Sequence, residues 1–158
     1  MEDTIKNLEQ ENKRLKIEES LLRDAYFQLE RIKEKFAETE TRYSLLFNVV
    51  TDMIFVKEFN EYDFSGKFLE VNFAACRRLG YTLTELLKLP PSSIVISDID
   101  SDKTIIERIL KGEEGVMLEQ TLISKDGSKI SVETYPKIFS WHDKTDIIFV
   151  SREINKDK

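Results

Sequence analysis

The chain has 158 residues, a formal net charge of −6, and charged side chains at 34% of its positions. That length holds one ordinary domain plus an extension, and the acidic balance argues against a nucleic-acid binder, which needs a basic face. A single cysteine, Cys76, excludes an intrachain disulfide, and one cysteine with one histidine cannot build a zinc site within the chain.

No apolar run approaches the ~20 residues that cross a bilayer. The opening Met1-Glu2-Asp3 has no basic stretch before an apolar core, so no signal peptide is read. With the lone cysteine, this predicts a cytoplasmic protein without a membrane segment.

Every glycine and proline falls after residue 65. What precedes them can run as one helix to about residue 47. With Leu8 at heptad position d, the d column reads Leu8, Leu15, Leu22, Leu29, Phe36 and Tyr43. The a column is poorer: Ile5, Asn12, Glu19, Tyr26, Lys33 and Glu40. Leucine at d favours parallel dimers, and one Asn at a sets register. Across such a dimer Glu11 meets Lys16 and Glu18 meets Arg23, each pair contributing about 0.3–0.5 kcal/mol. The expectation is a homodimer through parallel helices over residues 1–42, joined by Ile5, Leu8, Asn12, Leu15, Leu22, Tyr26, Leu29 and Phe36. The alternative is a lone amphipathic helix folded back on its own domain. After residue 24 the stripe rotates or widens, because Ala25, Ile32 and Ala37 are apolar while position a turns polar.

Residues 43–158 read as a second domain. Residues 53–57 form a short buried strand, and residues 64–71 a turn and a second strand. Residues 72–79 make a short helix closed by Gly80. Thr82 and Glu85 make a capping box that opens the next helix, which stops before Pro90-Pro91. A third helix runs from Thr104 to Lys111. Three strands follow. Lys125-Asp126-Gly127-Ser128 turns between the first two, and the faces match only if Leu122 faces Ile130, Gln120 faces Val132 and Leu118 faces Thr134. Residues 147–150 are the last strand. Five antiparallel strands with short helices on one face, plus the long N-terminal helix, make an α+β fold.

The stretches 52–59 (DMIFVKEF), 66–88 (GKFLEVNFAACRRLGYTLTELLK), 119–139 (EQTLISKDGSKISVETYPKIF) and 147–155 (IIFVSREIN) resemble a PAS domain. Val71-Asn72 leading a helix into Leu79-Gly80-Tyr81, with the Lys125-Asp126-Gly127 hairpin downstream, carries the resemblance. It implies the PAS fold over residues 41–155 and a sensory and dimerisation module without catalytic residues of its own. Such a module forms the input part of a sensor histidine kinase or a similar two-component or cyclic-nucleotide signalling protein, with an effector domain elsewhere. The alternative is a ligand-free structural dimerisation scaffold. Family members end this domain on Asp-Ile-Thr after an arginine. Here the segment reads Arg152-Glu153-Ile154-Asn155, so coupling to an output falls on Arg152, Glu153 and Asn155.

Some PAS domains hold a small ligand between sheet and helices. The corresponding residues here are Asn72, Ile105, Ile109, Leu118, Gln120, Val132, Thr134 and Ile148. Gln120 and Thr134 are the suggestive pair, since buried polar groups need partners. Asn72 is read first as the residue that holds the strand-to-helix turn. No cofactor is assigned. Cys76 lies outside the segment that carries the cysteine of light-sensing relatives, and residues 102–112 lack the histidine that haem-binding relatives use. Cys76 is therefore read as a small buried residue and His142 as a solvated turn residue. Asp98, Asp100 and Asp102 lack the glycine bend and distal glutamate of a calcium loop, and read as solvated helix-capping residues.

Overall fold

The structure, a computed structural model, describes residues 1–62, 64–96 and 99–155, with only the backbone of Ile99 and Asp100. It divides into two compact units, residues 1–45 and 46–158.

The first unit is helix α1, Glu2–Val49, whose last turn belongs to the second unit. None of its residues is buried. Its side-chain interactions are those of a solvated helix. Glu19 pairs with Arg23 at 2.9 Å and Glu38 with Arg42 at 3.0 Å, acid before base one turn apart. That order agrees with the helix dipole, but exposed pairs contribute only about 0.3–0.5 kcal/mol each. Most helices owe their stability to packing an apolar face, and within this unit α1 has nothing to pack it against.

The second unit is a six-stranded antiparallel sheet in the order β2-β1-β6-β5-β4-β3. The strands are β1 Met53–Glu58, β2 Phe68–Val71, β3 Val95–Ile96, β4 Leu118–Ile123, β5 Lys129–Trp141 and β6 Lys144–Glu153. Between β2 and β3 come helices α2 Phe73–Leu79 and α3 Leu83–Lys88 and a 3-10 turn at Pro91–Ser93, and α4 Ile99–Leu110 precedes β4.

Two expectations need correction. The sheet has six strands, not five. The added one is the two-residue edge β3, where Val95 pairs with Leu122 and Ile96 with Thr121; so short a strand has no alternation to read. Helix α4 begins at Ile99 and not at Thr104. Its polar opening resembles a loop in composition, yet Asp and Ser suit the positive end of a helix.

The β4–β5 register follows the alternation: Leu118 faces Thr134, Gln120 faces Val132 and Leu122 faces Ile130. Gly80 closes α2 at φ +76°, the left-handed region that glycine enters without strain. The capping box of α3 is complete. The Glu85 N–H donates to Thr82 Oγ1 at 3.2 Å, and the Thr82 N–H to the Glu85 carboxylate at 3.0 Å. Leu79, Leu86, Ile94, Leu122, Val132 and Ile147 are buried and form the centre of the core between sheet and helices.

Candidate functional site

β1 buries Met53, Phe55, Val56 and Lys57, partly buries Ile54 and exposes Glu58. Its Phe55 and Lys57 therefore face the helices and not water. Together with Phe149 and Ser151 of β6, Thr134 of β5 and Gln120 of β4, they floor a cavity of about 260 Å³. The loop residues Phe64, Ser65 and Gly66 close one side, and Pro90, Pro91, Ile94 and Asp102 roof it.

The walls are largely aromatic. Phe55 and Phe68 lie 5.2 Å apart between ring centroids, and Phe64 meets Phe149 edge-on at 5.0 Å and 86°. Such tilted and edge-to-face pairs stiffen a wall beyond the area they bury. The polar groups are few. Thr134 Oγ1 and Ser151 Oγ share a hydrogen bond of 2.8 Å across the β5–β6 pair. Lys57, 1% exposed, donates its ammonium to the Ser65 carbonyl. Asp102 is 6% exposed, so the solvated capping role expected for it is corrected: it is a buried member of the roof. Asp98 and the Asp100 side chain lie outside the described residues. The Gln120 amide, half-buried, makes no hydrogen bond to another described residue.

Of the residues expected to line a pocket, Gln120 and Thr134 do so. The others do not line this cavity, for separate reasons. Asn72 is 0% exposed and fully used by the backbone. Its side-chain oxygen accepts from the N–H of Ile54 at 3.0 Å and of Ala75 at 3.1 Å, and its amide donates to the carbonyls of Asp52 at 3.0 Å and Phe47 at 3.2 Å. It ties the end of α1, the start of β1 and the first turn of α2 together. Asn48 reinforces the same corner by accepting from the Phe73 N–H at 2.8 Å. Ile148 alternates with Phe149 and so takes the opposite face of the sheet. Val132 is buried in the core, while Ile105, Ile109 and Leu118 stand outside the lining. Sequence reasoning missed the phenylalanines of β1, β2 and β6 and missed Lys57. The alternation that could have placed Phe149 was present in β6.

Outside the cavity lining, ion pairs tie the ends of the elements together. Arg152 reaches Asp52 at 2.9 Å, joining the end of β6 to the residue before β1. Glu153 accepts a two-pronged contact from Arg78 of α2, with Nε at 2.6 Å, and that hydrogen bond holds its carboxyl below the usual range. Asn155 is exposed. In the β4–β5 turn the Ser124 hydroxyl, then the hydroxyl and N–H of Ser128, bring Asp126 down to about 2. Cys76 is half-buried, and burial pushes its thiol up, toward the unreactive protonated form. His142 stands exposed in the β5–β6 turn at φ +53°.

No protein-family model matches the chain. Its sequence is 26% identical over 121 residues to the methyl sulfide methyltransferase-associated sensor of Methanosarcina acetivorans, a match covering 77% of this chain and 12% of that protein's length. In structure it is similar to the PAS domain of an HTR-like protein from Haloarcula marismortui, with TM-score 0.63 and 26% identity over 79% of this chain and 99% of that one. It is also similar to a domain of a sensory box sensor histidine kinase/response regulator from Geobacter sulfurreducens, with TM-score 0.53 and 27% identity over 72% and 93% of the two chains. A PAS domain from a two-component sensor histidine kinase shares the fold at 20% identity and TM-score 0.57, over 75% and 99%. The globular unit has the PAS fold, and a long helix precedes it in the chain.

Proposed function

We propose that this PAS domain is the sensory input of a larger signalling protein, a sensor histidine kinase or a similar two-component or cyclic-nucleotide system. It would act as a dimer joined through parallel N-terminal helices and would perform no chemistry of its own. One observation supports the sensory reading above the rest: a preformed aromatic cavity of about 260 Å³ whose floor presents the Gln120 amide without a partner among the described residues. That size and lining suit a small organic molecule with an apolar body and one hydrogen-bonding end. The amide is half-buried at the cavity floor, and a ligand would give it a hydrogen-bond partner. The sensor named among the curated relatives and the sensor kinase domains among the structural neighbours point the same way.

The coupling route follows from the ion pairs. Arg152 and Glu153 leave the sheet next to the cavity residue Ser151, bound to Asp52 and Arg78. A ligand that moved β6 would change both contacts.

Native mass spectrometry of the purified protein tests the reading. The expected spectrum shows a bound small molecule that is retained by the wild type and lost from Gln120→Leu. A protein that is ligand-free as purified, and whose melting temperature no member of a small-molecule panel raises, would instead be a ligand-free structural dimerisation scaffold.

A further inference from the structure

The parallel helix pairing proposed above leaves a difficulty in its own second half. The frame with Leu8 at d carries Lys33 and Glu40 into position a, inside the seam. Charges there are costly to desolvate. The column Leu22, Leu29, Phe36, Tyr43 keeps its seven-residue spacing regardless. What changes is its companion column. Four residues on from each member come Tyr26, Lys33, Glu40 and Phe47; three residues on come Ala25, Ile32, Thr39 and Leu46. The second set carries no charge. Ile32 and Leu46 are each 63% exposed in the single chain, and the first frame leaves both at the rim of the seam.

We infer that α1 pairs with a second copy of this chain in two frames, which meet at Leu22. N-terminal to it, Leu8, Leu15 and Leu22 occupy d with Ile5 and Asn12 at a. C-terminal to it, the Leu22–Tyr43 column occupies a, with Ala25, Ile32, Thr39 and Leu46 at d. The steps Glu19 to Leu22 to Ala25 are then two successive threes where a continuous heptad has a three and a four. Such an offset overwinds a coiled coil locally. The inference rests on the parallel dimer and specifies its register.

Charge complementarity changes frame at the same place. Before Leu22 the first frame sets Glu11 against Lys16 of the other copy and Glu18 against its Arg23. Continued, it would set Ala25 against Glu30 and Ile32 against Ala37, which is no pairing. The second frame moves Lys33 and Glu40 out to the flank and sets Lys35 against Glu40 of the other copy.

Disulfide trapping in the whole chain separates the possibilities. In a Cys76→Ser background, Leu8→Cys, Ile32→Cys and Lys33→Cys are oxidised under identical mild conditions. A disulfide needs Cα atoms within about 7 Å, so Ile32→Cys is expected to link on the order of tenfold faster than Lys33→Cys, with Leu8→Cys as fast as Ile32→Cys. If Lys33→Cys links as fast as Ile32→Cys or faster, or if both are slow while Leu8→Cys links, the change of frame is wrong and the dimer stands. If Leu8→Cys fails to link and the protein sediments as a monomer, the dimer and the inference fall together.

Discussion

Leu79 and Leu15 are the same residue in the same secondary structure, yet Leu79 is 0% exposed and Leu15 is 54% exposed. The sheet, α2 and α3 surround Leu79 with groups from the same chain. Leu15 belongs to a helix with no buried residue at all. In the globular unit, then, burial is a property of one molecule. In α1 no residue is buried within the chain, and under the proposed dimer burial would come from a second copy, so the stability of the two regions would depend on different variables. The first is independent of protein concentration, whereas any structure that α1 builds with a second copy follows mass action.

The sharpest way to break that contrast is a pair of identical truncations. Leu79→Ala should lower the unfolding free energy of the globular unit by about 2–5 kcal/mol, read from the urea midpoint. Leu15→Ala should leave that midpoint where it is and weaken self-association in sedimentation. If both variants shifted the urea midpoint equally, the two regions would be one cooperative unit.

Asn72→Ala probes the corner where α1 ends and the sheet begins. It strips partners from the Ile54 and Ala75 N–H groups and from the Asp52 and Phe47 carbonyls. The expected loss is about 2–4 kcal/mol, with faster hydrogen exchange at Ile54 and Ala75. Unchanged exchange at Ile54 would mean that the tie to β1 carries no stability.

The smallest effect lies in the β4–β5 turn. Asp126 is held at about 2 by Ser124 and Ser128, below the ordinary carboxyl value. A depressed carboxylate contributes stability that is fully present above its unfolded pKa near 4 and is lost as pH falls toward its folded value. Stability should therefore decline from about pH 5 to about pH 2, and Asp126→Asn should remove part of that slope. Glu153 is lowered in the same sense by Arg78, so a residual slope remains in that variant. A slope identical to wild type would show that the turn hydrogen bonds contribute nothing to folding.

What could be read from the residues followed from periodicity and local chemistry. The alternation of Leu118, Gln120 and Leu122 against Ile130, Val132 and Thr134 admits a single register, and that register is observed. The Thr82–Glu85 capping box and the Gly80 stop are local and were equally legible. The cavity was only partly so. Gln120 and Thr134 were recognisable because they interrupt apolar faces. The phenylalanine walls were not, since β1 is an unbroken apolar run in which two-residue periodicity cannot tell inside from outside. Lys57 at the end of that run looks like a strand leaving the core, and only the fold of the Phe64–Gly66 loop over it makes it a buried residue.

The neighbouring positions of β1 and β6 have a mechanical consequence. β1 begins just after Asp52 and β6 ends at Glu153, and these points share one end of the β1–β6 ladder, with Met53 opposite Ser151 and the Asp52–Arg152 ion pair just beyond. Tension drawn through the two leads does not shear the ladder, which would load every rung together. It peels the strands apart from Met53–Ser151 toward Glu58–Asp146, one rung at a time. The rungs beyond the first carry core side chains, Phe55 opposite Phe149 and Lys57 opposite Ile147, so peeling past this corner opens the hydrophobic centre itself.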